Sequence, residues 1–242
     1  MAEKSPIRYG TINFDMIGGW FGLAPEDDPP FWAVNLMKYR EVAEYADGRE
    51  ATVSGKDADD AYSPLGPLAA IGAVVALHGD VIDQPAGEPA WDRIAIVRYP
   101  SRAGFFAMQE RDDFKEAHHH KDAGMEATIV IASAPRPDAA LGTDLPAGGV
   151  MVMRVRRFAD GTRPDDAPVA GITPIARLDV EGVIVGDDRR WHEIAFDAAT
   201  DADAVAALCA STTGVEECIA VTMQPAIDRL VDSIESAPTP GA

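Results

Sequence analysis

The chain is short of cysteine, of positive charge and of long hydrophobic runs. Its 242 residues include only two cysteines, Cys209 and Cys218, which can form at most one disulfide and cannot build a thiolate cluster around a metal. The longest apolar run, 68–77, is far shorter than the roughly 20 residues that a membrane-spanning helix needs. Residues 1–6 contain no apolar core of the kind found in secretion signals. We therefore expect a cytoplasmic protein with reduced cysteines.

The balance of charge excludes a second group of functions. The chain has 21 lysines and arginines against 40 aspartates and glutamates, a net charge of −19. Such a field repels phosphate backbones and anionic lipid headgroups, so neither nucleic acid nor membrane is an expected partner. The hydrophobic content of 47% is that of a folded globular protein. A small-molecule ligand or substrate remains the expected partner.

Several cofactor motifs are also missing. The chain has no glycine-rich phosphate loop, no dinucleotide fingerprint and no Gly-x-Ser-x-Gly elbow. The consecutive histidines His118, His119 and His120 cannot converge on one ion, because neighbours on a helix diverge by about 100°. We therefore expect neither a metal nor a nucleotide cofactor. Ligation of a haem by a histidine of this run stays open as an alternative.

Four short segments recur in the same order in the two halves of the chain. Trp91-Asp-Arg-Ile-Ala-Ile reappears as Trp191-His-Glu-Ile-Ala-Phe. The other matched pairs are 35–39 with 154–158, 67–71 with 168–172, and 124–130 with 214–220. Between the halves lies a segment rich in proline and glycine, as linkers are. The repeat predicts an irregular lead-in at 1–30, a domain at 31–134, a linker at 135–149 and a degenerate second domain at 150–235.

The hydrophobic pattern of the first half predicts the β-α-β-β-α-β order of a ferredoxin-like fold. Its predicted strands are 31–39, 73–81, 93–99 and 128–132, with short helices at 41–47 and 57–71. Ser101 is a predicted N-cap of a helix that reaches Gly124 and breaks near 111–113. The second half predicts strands near 150–158, 172–178, 191–196 and 217–222. It also predicts a helix at 201–209 capped by Thr200 and a C-terminal helix at 226–234, whereas a first helix is hard to place between Asp160 and Pro168.

Four segments of the first half resemble a known family. Phe31-Trp-Ala-Val-Asn-Leu-Met-Lys-Tyr39, 91–101, Phe106-Ala-Met108 and 114–125 resemble strands and a helix of the small dimeric α/β-barrel proteins grouped as domain of unknown function 1330. The resemblance covers about residues 31–134, and it places His120-Lys121 where a His-Arg pair is common.

The resemblance implies a barrel made of two facing four-stranded sheets. Both sheets would lie on one chain here, so we expect an α+β fold of tandem ferredoxin-like repeats that form an intrachain pseudo-dimer. Such a chain is expected to be a monomer or a homodimer. The wider superfamily includes cofactor-free monooxygenases, haem proteins, isomerases and dehalogenation-type enzymes, so the fold does not fix one chemistry.

Alternation along the predicted strands separates two faces. One face of the first half is uniformly large and apolar, with Trp32, Val34 and Leu36 among its members, and we expect it to pack under the helices. The other face mixes small and polar residues, and we expect it to line the barrel interior as a small-molecule site. A shift of one residue in register would exchange the two faces.

His78 is the leading catalytic candidate, because imidazole exchanges protons near neutral pH. Asp80 follows on the same predicted face and could orient the ring, and the family resemblance adds His120 at the barrel rim. The remaining candidates are substrate-binding residues, namely Asn35, Tyr39, Arg93, Tyr99, Arg154, Arg177 and His118. His78 could equally be a hydrogen-bonded interior histidine without catalytic work.

The second half offers charges on the corresponding face, namely Arg154, Arg156, Arg177, Asp179, Glu193 and Asp197. Charges inside a barrel must be paired or solvated. One interpretation is a set of salt bridges that joins the two sheets. The other is that Arg154 or Arg177 binds an anionic or carbonyl substrate opposite His78.

Together these residues predict a small-molecule enzyme that uses acid–base chemistry in the barrel lumen without a nucleotide cofactor. A cofactor-free monooxygenase, an isomerase or a lyase acting on an aromatic or polyketide-like compound would fit. The alternatives are a non-catalytic ligand-binding or stress-associated domain and a haem-binding barrel.

Overall fold

A computed structural model describes residues 7–143, 145 and 148–238 of the chain. Its strands are β1 (Thr11–Ile12), β2 (Phe31–Tyr39), β3 (Val74–Ala86), β4 (Arg93–Tyr99), β5 (Met125–Pro135), β6 (Val150–Phe158), β7 (Ile172–Gly186), β8 (Glu193–Ala199), β9 (Val215–Met223) and β10 (Ile227–Asp228). Its helices are α1 (Phe14–Trp20), α2 (Gly55–Tyr62), α3 (Leu65–Ala70), α4 (Arg102–Glu110), α5 (Asp112–Gly124), α6 (Ala202–Ala210) and α7 (Leu230–Glu235). None of the helices in these ranges is long and apolar enough to cross a membrane.

Eight strands close into one antiparallel barrel, which makes the fold an α+β fold. The order around the barrel is β5-β2-β4-β3-β9-β6-β8-β7, and β7 pairs back to β5. The first four of these strands come from the first half and the last four from the second, in the same relative order. The seams β3–β9 and β5–β7 join the halves. The short strands β1 and β10 add to β7 and β3 outside this circuit.

Large apolar side chains from both halves fill the barrel interior. Trp32, Leu36 and Ile94 of the first half share one buried cluster with Met153 and Phe196 of the second. The interior of an eight-stranded barrel is wide enough either for side chains to fill it or for one small ligand, and here buried side chains of both halves fill it. The expectation that this face packs under the helices is therefore wrong, because it faces the lumen.

The mixed small and polar face of β2, β3 and β4 is the outer face of the barrel, turned toward the helices. Tyr62 of α2, Met108 of α4 and Phe114 of α5 share a cluster with Ala33 and Val97 of this face. The expectation that the mixed face lines the lumen is therefore also wrong. Side chains therefore alternate between two faces along these strands as predicted, but the layer predicted for each face is the opposite of the one observed.

Two glycines set the distance between the helices above the outer face. Arg40 N donates to Gly124 O at 2.9 Å, and Gly55 N donates to Arg40 O at 3.0 Å. A Cβ atom on Gly55 would overlap the carbonyl oxygens of Gly124 and Arg40. The start of α2 and the end of α5 can therefore meet only because both positions lack a side chain.

The predicted elements are mostly found. β2, β4 and β6 have the predicted bounds, and the long helix breaks at Arg111, where the backbone is extended (φ −66°, ψ 138°). The helix predicted at 41–47 is absent, since those residues form bends and turns. The predicted irregular lead-in contains β1 and α1, although residues 1–6 lie outside the described range. The cap of α6 is Asp201 and not Thr200, because the Asp201 carboxylate accepts from Ala204 N at 2.9 Å.

The second half lacks a counterpart of α2. Residues 159–171 contain only a 3₁₀ turn, Ala159–Gly161, before β7 begins. The C-terminal segment expected to be one helix forms β10 and then α7. The predicted linker separates β5 from β6, and its residues 144, 146 and 147 lie outside the described range.

Candidate functional site

A cavity of about 290 Å³ lies between the outer face of β2–β4 and the helices α2 to α5. Small side chains such as Ala95 leave the space, and Leu68, Val97 and Met108 give it apolar walls. Its polar lining residues are Asn35, Asp59, Asp60, Tyr62, Ser63, His78, Arg93, Tyr99 and Lys121. An apolar recess with a few convergent polar groups is the usual form of a small-molecule site.

His78 projects into this cavity from β3, opposite Ala95 of β4. The side chain is half-buried, and no described residue forms a hydrogen bond with its imidazole. Burial, followed by the positive charge of Arg93, lowers the pKa of His78 below its ordinary value of 6.5, and three nearby carboxylates only partly oppose this. The imidazole is therefore neutral at pH 7 and free to accept a proton.

Lys121 is a second unpartnered titratable group in the same cavity. The half-buried side chain comes from α5, and its ammonium lies 5.5 Å from the ring centroid of Tyr62. No described residue forms a hydrogen bond or an ion pair with this ammonium. Burial lowers the pKa of Lys121, and the carboxylate of Asp59 opposes that shift.

Lys121 is not among the site residues predicted from the sequence. A signal was available, because Phe114, His118 and Lys121 are spaced by four and then three residues, which places them on one face of a helix. Phe114 is buried and His118 is half-buried. Because Phe114 and His118 point inward, Lys121 on the same helix face is expected to point inward as well.

Arg93 lines the cavity but is neutralised by three carboxylates. Its guanidinium lies 2.6 Å from Asp60, 3.4 Å from Asp59 and 2.8 Å from Asp80. Asp80 also pairs with Lys56 at 2.5 Å. Burial alone would raise the pKa of Asp80, but the hydrogen bonds from Lys56 and Arg93 outweigh it and lower that pKa. Asp80 thus holds Arg93, and the structure does not show it orienting the ring of His78.

The predicted substrate-binding residues of β2 and β4 divide into two groups. Asn35 lines the cavity, and its amide nitrogen donates to Ala33 O at 3.1 Å and Ala95 O at 3.3 Å. Tyr99 also lines it, with its hydroxyl 3.8 Å from the Met108 sulfur and its pKa raised by burial. Tyr39 is turned aside, because its hydroxyl donates to Asp59 at 2.7 Å.

Of the three histidines of α5, His119 and His120 have neighbouring rings, with centroids 4.0 Å apart, whereas His118 packs against other residues. His118 packs among aromatic rings with Nε2 3.2 Å from the Tyr9 hydroxyl, and burial lowers its pKa to about 4. His119 is exposed, and His120 lies 2.8 Å from the Tyr45 hydroxyl. None of the three is among the cavity-lining residues. Within the described ranges, no group of three or more histidine, cysteine, aspartate or glutamate side chains is arranged to hold a metal ion.

The charged residues of the second half pair with one another on the outer face of the barrel. Asp197 is fully buried between Arg154 at 2.9 Å and Arg177 at 2.5 Å. Glu193, also fully buried, pairs with Arg156 and, at 3.1 Å, with Arg163. The salt bridges expected from the sequence are therefore present, but they lie on the outer face of the barrel and not in the lumen. Arg154 and Arg177 do not line the cavity that holds His78.

The two cysteines offer no alternative nucleophile. Both are free and half-buried, and burial raises the pKa of the Cys218 thiol to about 11. The pKa of Cys209 is raised by burial as well. A thiol with a raised pKa carries little of the reactive thiolate at neutral pH.

No family model matches the chain, and no curated protein matches it. Among solved structures, RPA0582, a protein of unknown function from Rhodopseudomonas palustris, superposes with a TM-score of 0.48 and 26% identity over 55% of this chain and 100% of its own. A mutant chlorite dismutase from Candidatus Nitrospira defluvii superposes with a TM-score of 0.44 and 9% identity, over 85% of this chain and 94% of its own. FN1347, a candidate monooxygenase from Fusobacterium nucleatum, superposes with a TM-score of 0.41 and 10% identity, over 81% of this chain and 92% of its own. At these TM-scores we take the function from the cavity and not from the neighbours.

Proposed function

We propose that this protein is a small-molecule enzyme in which His78 removes a proton from a ligand held in the cavity between β2–β4 and α2–α5. One observation carries the proposal. Two titratable side chains, His78 and Lys121, reach the same largely apolar cavity without any partner, and burial lowers the pKa of both. Perturbed groups that converge in a recess are typical of catalytic sites.

The two groups have complementary roles. Neutral His78 acts as the general base, since its lone pair is not committed to another residue. An N–H group of Lys121 donates a hydrogen bond to a ligand oxygen and stabilises the negative charge that develops there when the proton leaves. Asn35 and Tyr99 position the ligand through polar contacts, and the apolar walls hold its hydrocarbon part.

Proton abstraction beside an oxygen function is a common first step of isomerisation and of cofactor-free oxygenation. Both reaction classes are therefore compatible with the site. The cavity of about 290 Å³ lies at the lower end of the range for ligand pockets. This size favours a compound with a single ring over a multi-ring polyketide.

A haem is not supported by the same cavity. Its tetrapyrrole ring is larger than the space available, and His118 and His120 are engaged with Tyr9 and Tyr45 instead of facing that space. No step of the proposed reaction passes through haem.

The pseudo-dimer interpretation of the fold belongs to the same proposal. We treat 31–134 and 150–235 as two ferredoxin-like halves, supported by their equal strand order. The second half would then be the degenerate one, since paired arginines and carboxylates occupy its outer face. The proposed site is therefore asymmetric. We further propose that the protein is cytoplasmic, is a monomer or a homodimer, and binds neither nucleic acid nor membrane.

Solvent hydrogen exchange tests this proposal directly. Phenylacetaldehyde and other single-ring carbonyl compounds are incubated with the protein in deuterated buffer, and exchange at the carbon beside the carbonyl is followed by proton NMR. The His78→Gln variant should lose about 10²–10⁴-fold of the catalysed rate. The exposed His119→Gln variant should keep the full rate.

A second pair of variants tests the location. Ala95→Phe should fill the cavity and abolish exchange, whereas Ala107→Phe, on the exposed side of α4, should not. Binding of the compounds without catalysed exchange would overturn the enzyme and indicate a ligand-binding domain. Full activity in His78→Gln would overturn the choice of base.

A further inference from the structure

Lys121 differs from every other lysine that the structure describes. Lys38, Lys56 and Lys115 each pair with a carboxylate, at 2.6, 2.5 and 3.0 Å. Lys121 has no such partner, although the protein has an excess of 19 negative charges. In a chain so rich in acidic residues, a lysine without a carboxylate partner is unexpected, and its environment therefore suggests a chemical role.

The nearest acidic side chains are already committed elsewhere. Asp59 accepts from the Tyr39 hydroxyl at 2.7 Å and lies 3.4 Å from Arg93, which also binds Asp60. The ammonium of Lys121 instead meets the ring face of Tyr62. An ammonium that is partly removed from water and has no counter-ion is costly. This desolvation lowers the pKa of Lys121 although the Tyr62 ring face attracts the cation, so the neutral amine is more accessible here than in an exposed lysine.

We infer that Lys121 is a nucleophile that forms an imine with the carbonyl group of an aldehyde or ketone bound beside His78. The inference deepens the proposed function and rests on it, because it names the substrate class of the same cavity. Desolvated lysines in apolar pockets are the usual source of Schiff-base nucleophiles. The lowered pKa of Lys121 agrees with the geometry.

The chemistry balances without any oxidant or reductant. The lone pair of the neutral amine attacks the carbonyl carbon, the new C–N bond forms, and the carbonyl π pair moves onto oxygen. That oxygen takes up the proton that the nitrogen releases, which gives a carbinolamine. The hydroxyl then takes a proton from solvent and leaves as water while the nitrogen lone pair forms the C=N bond, which gives an iminium ion. Release of the remaining N–H proton to solvent gives the imine, so one amine and one carbonyl yield one imine and one water.

The imine links Lys121 to the role of His78. Once protonated, the C=N group draws electrons from the neighbouring C–H bond, and the imidazole removes that proton more easily than from the free carbonyl compound. Return of the proton to a different carbon would isomerise the substrate, and attack of water on the imine would release the product and regenerate the amine.

Reductive trapping tests the inference. The whole protein is incubated with phenylacetaldehyde and sodium cyanoborohydride, which fixes imines as stable secondary amines, and the labelled lysines are identified by peptide mass spectrometry. Lys115 is an internal control on the same helix, since it is exposed and ion-paired. We expect Lys121 to be labelled at least tenfold faster than Lys115 at pH 7. Equal or slower labelling of Lys121 would overturn the inference.

Two variants separate this inference from the proposed function. Lys121→Arg keeps the positive charge but cannot form an imine, and it should lose hydrogen exchange, whereas Lys115→Arg should not. Exchange retained in Lys121→Arg, with His78→Gln still inactive, would overturn the imine and leave the proposed function standing. Trapping at Lys121 together with full exchange in His78→Gln would overturn His78 as the base and leave the imine standing.

Discussion

At the scale of single residues, the presence or absence of a partner decides what each cavity side chain can do. Arg93 and Lys121 both line the cavity, but Arg93 is bound by three carboxylates and Lys121 by none. A guanidinium held in that way is an anchor for the surrounding side chains. An amine left without a counter-charge is available to a ligand, as is the imidazole of His78.

His118 provides a prediction about stability and pH. Burial lowers its pKa in the folded protein to about 4, against about 6.5 in the unfolded chain. The unfolded state therefore binds the proton more tightly, so the neutral form contributes stability that is complete above pH 6.5 and is lost as the pH falls toward 4. The loss between pH 7 and pH 4.5 should be about 2–3 kcal/mol.

Denaturant unfolding of His118→Phe checks this value, because phenylalanine keeps the aromatic packing and cannot take up a proton. The free energy of unfolding of the variant should fall less than that of the wild type over the same pH range. His119→Gln, at an exposed position, is the matched control and should fall as the wild type does. Parallel pH profiles for the wild type and His118→Phe would contradict the assignment.

At the scale of elements, the helices above the cavity depend on the contact between Gly55 and Gly124. An added Cβ at Gly55 meets backbone atoms, which cannot move aside as a side chain can. Gly55→Ala should therefore lower the free energy of unfolding by about 1–3 kcal/mol or more. Gly66, within α3, has open space around its position, so Gly66→Ala should be neutral or stabilising by up to about 1 kcal/mol. Thermal unfolding of both variants measures the difference, and equal effects would be inconsistent with the close contact.

The sequence predicts elements well where local chemistry dominates. The alternation in 31–39 and the cap at Ser101 locate β2 and α4, because each depends on nearby residues alone. The helix expected at 41–47 does not form, because backbone N–H groups of this segment bond to distant parts of the chain: Ala43 N donates to Val53 O and Glu44 N to Ala123 O, both at 3.0 Å. Thr200 and Asp201 are adjacent and both side chains can cap a helix, so the sequence does not decide between them. In the structure Asp201 is the cap, because its carboxylate accepts from Ala204 N.

At the scale of the whole molecule, the two faces of the sheet could be separated from sequence but not assigned to layers. Both faces are buried, one in the lumen and one under helices, so hydrophobicity does not distinguish inside from outside. The size of the side chains does distinguish the two faces, because both halves enclose the lumen and large side chains such as Trp32 and Phe196 fill it. The small residues lie where the helices can leave a cavity. The grouping of Asn35, His78, Arg93 and Tyr99 survives this exchange, since residues on one face stay together in either layer.

The second half provides a prediction about its buried charges. Asp197→Asn would leave Arg154 and Arg177 buried without their carboxylate, and breaking a buried pair in this way costs about 3–5 kcal/mol. Asp113→Asn, which removes an exposed pair with Arg111, should leave the free energy of unfolding nearly unchanged, because water screens that pair. Chemical denaturation compares the two variants. An Asp197→Asn protein as stable as Asp113→Asn would show that the network does not support the outer face of the second half.

The claim that ligands bind beside His78, outside the barrel lumen, is tested by NMR of the five histidines. Protein with ¹⁵N-labelled imidazoles is titrated with pH and then with phenylacetaldehyde, and the signals are assigned with His78→Gln and His119→Gln. We expect His78 to titrate below pH 6.5 in the free protein and its signals to move on addition of the ligand, while those of His119 stay in place. A His78 that titrates at or above pH 6.5, or that does not respond to the ligand, would contradict the claim.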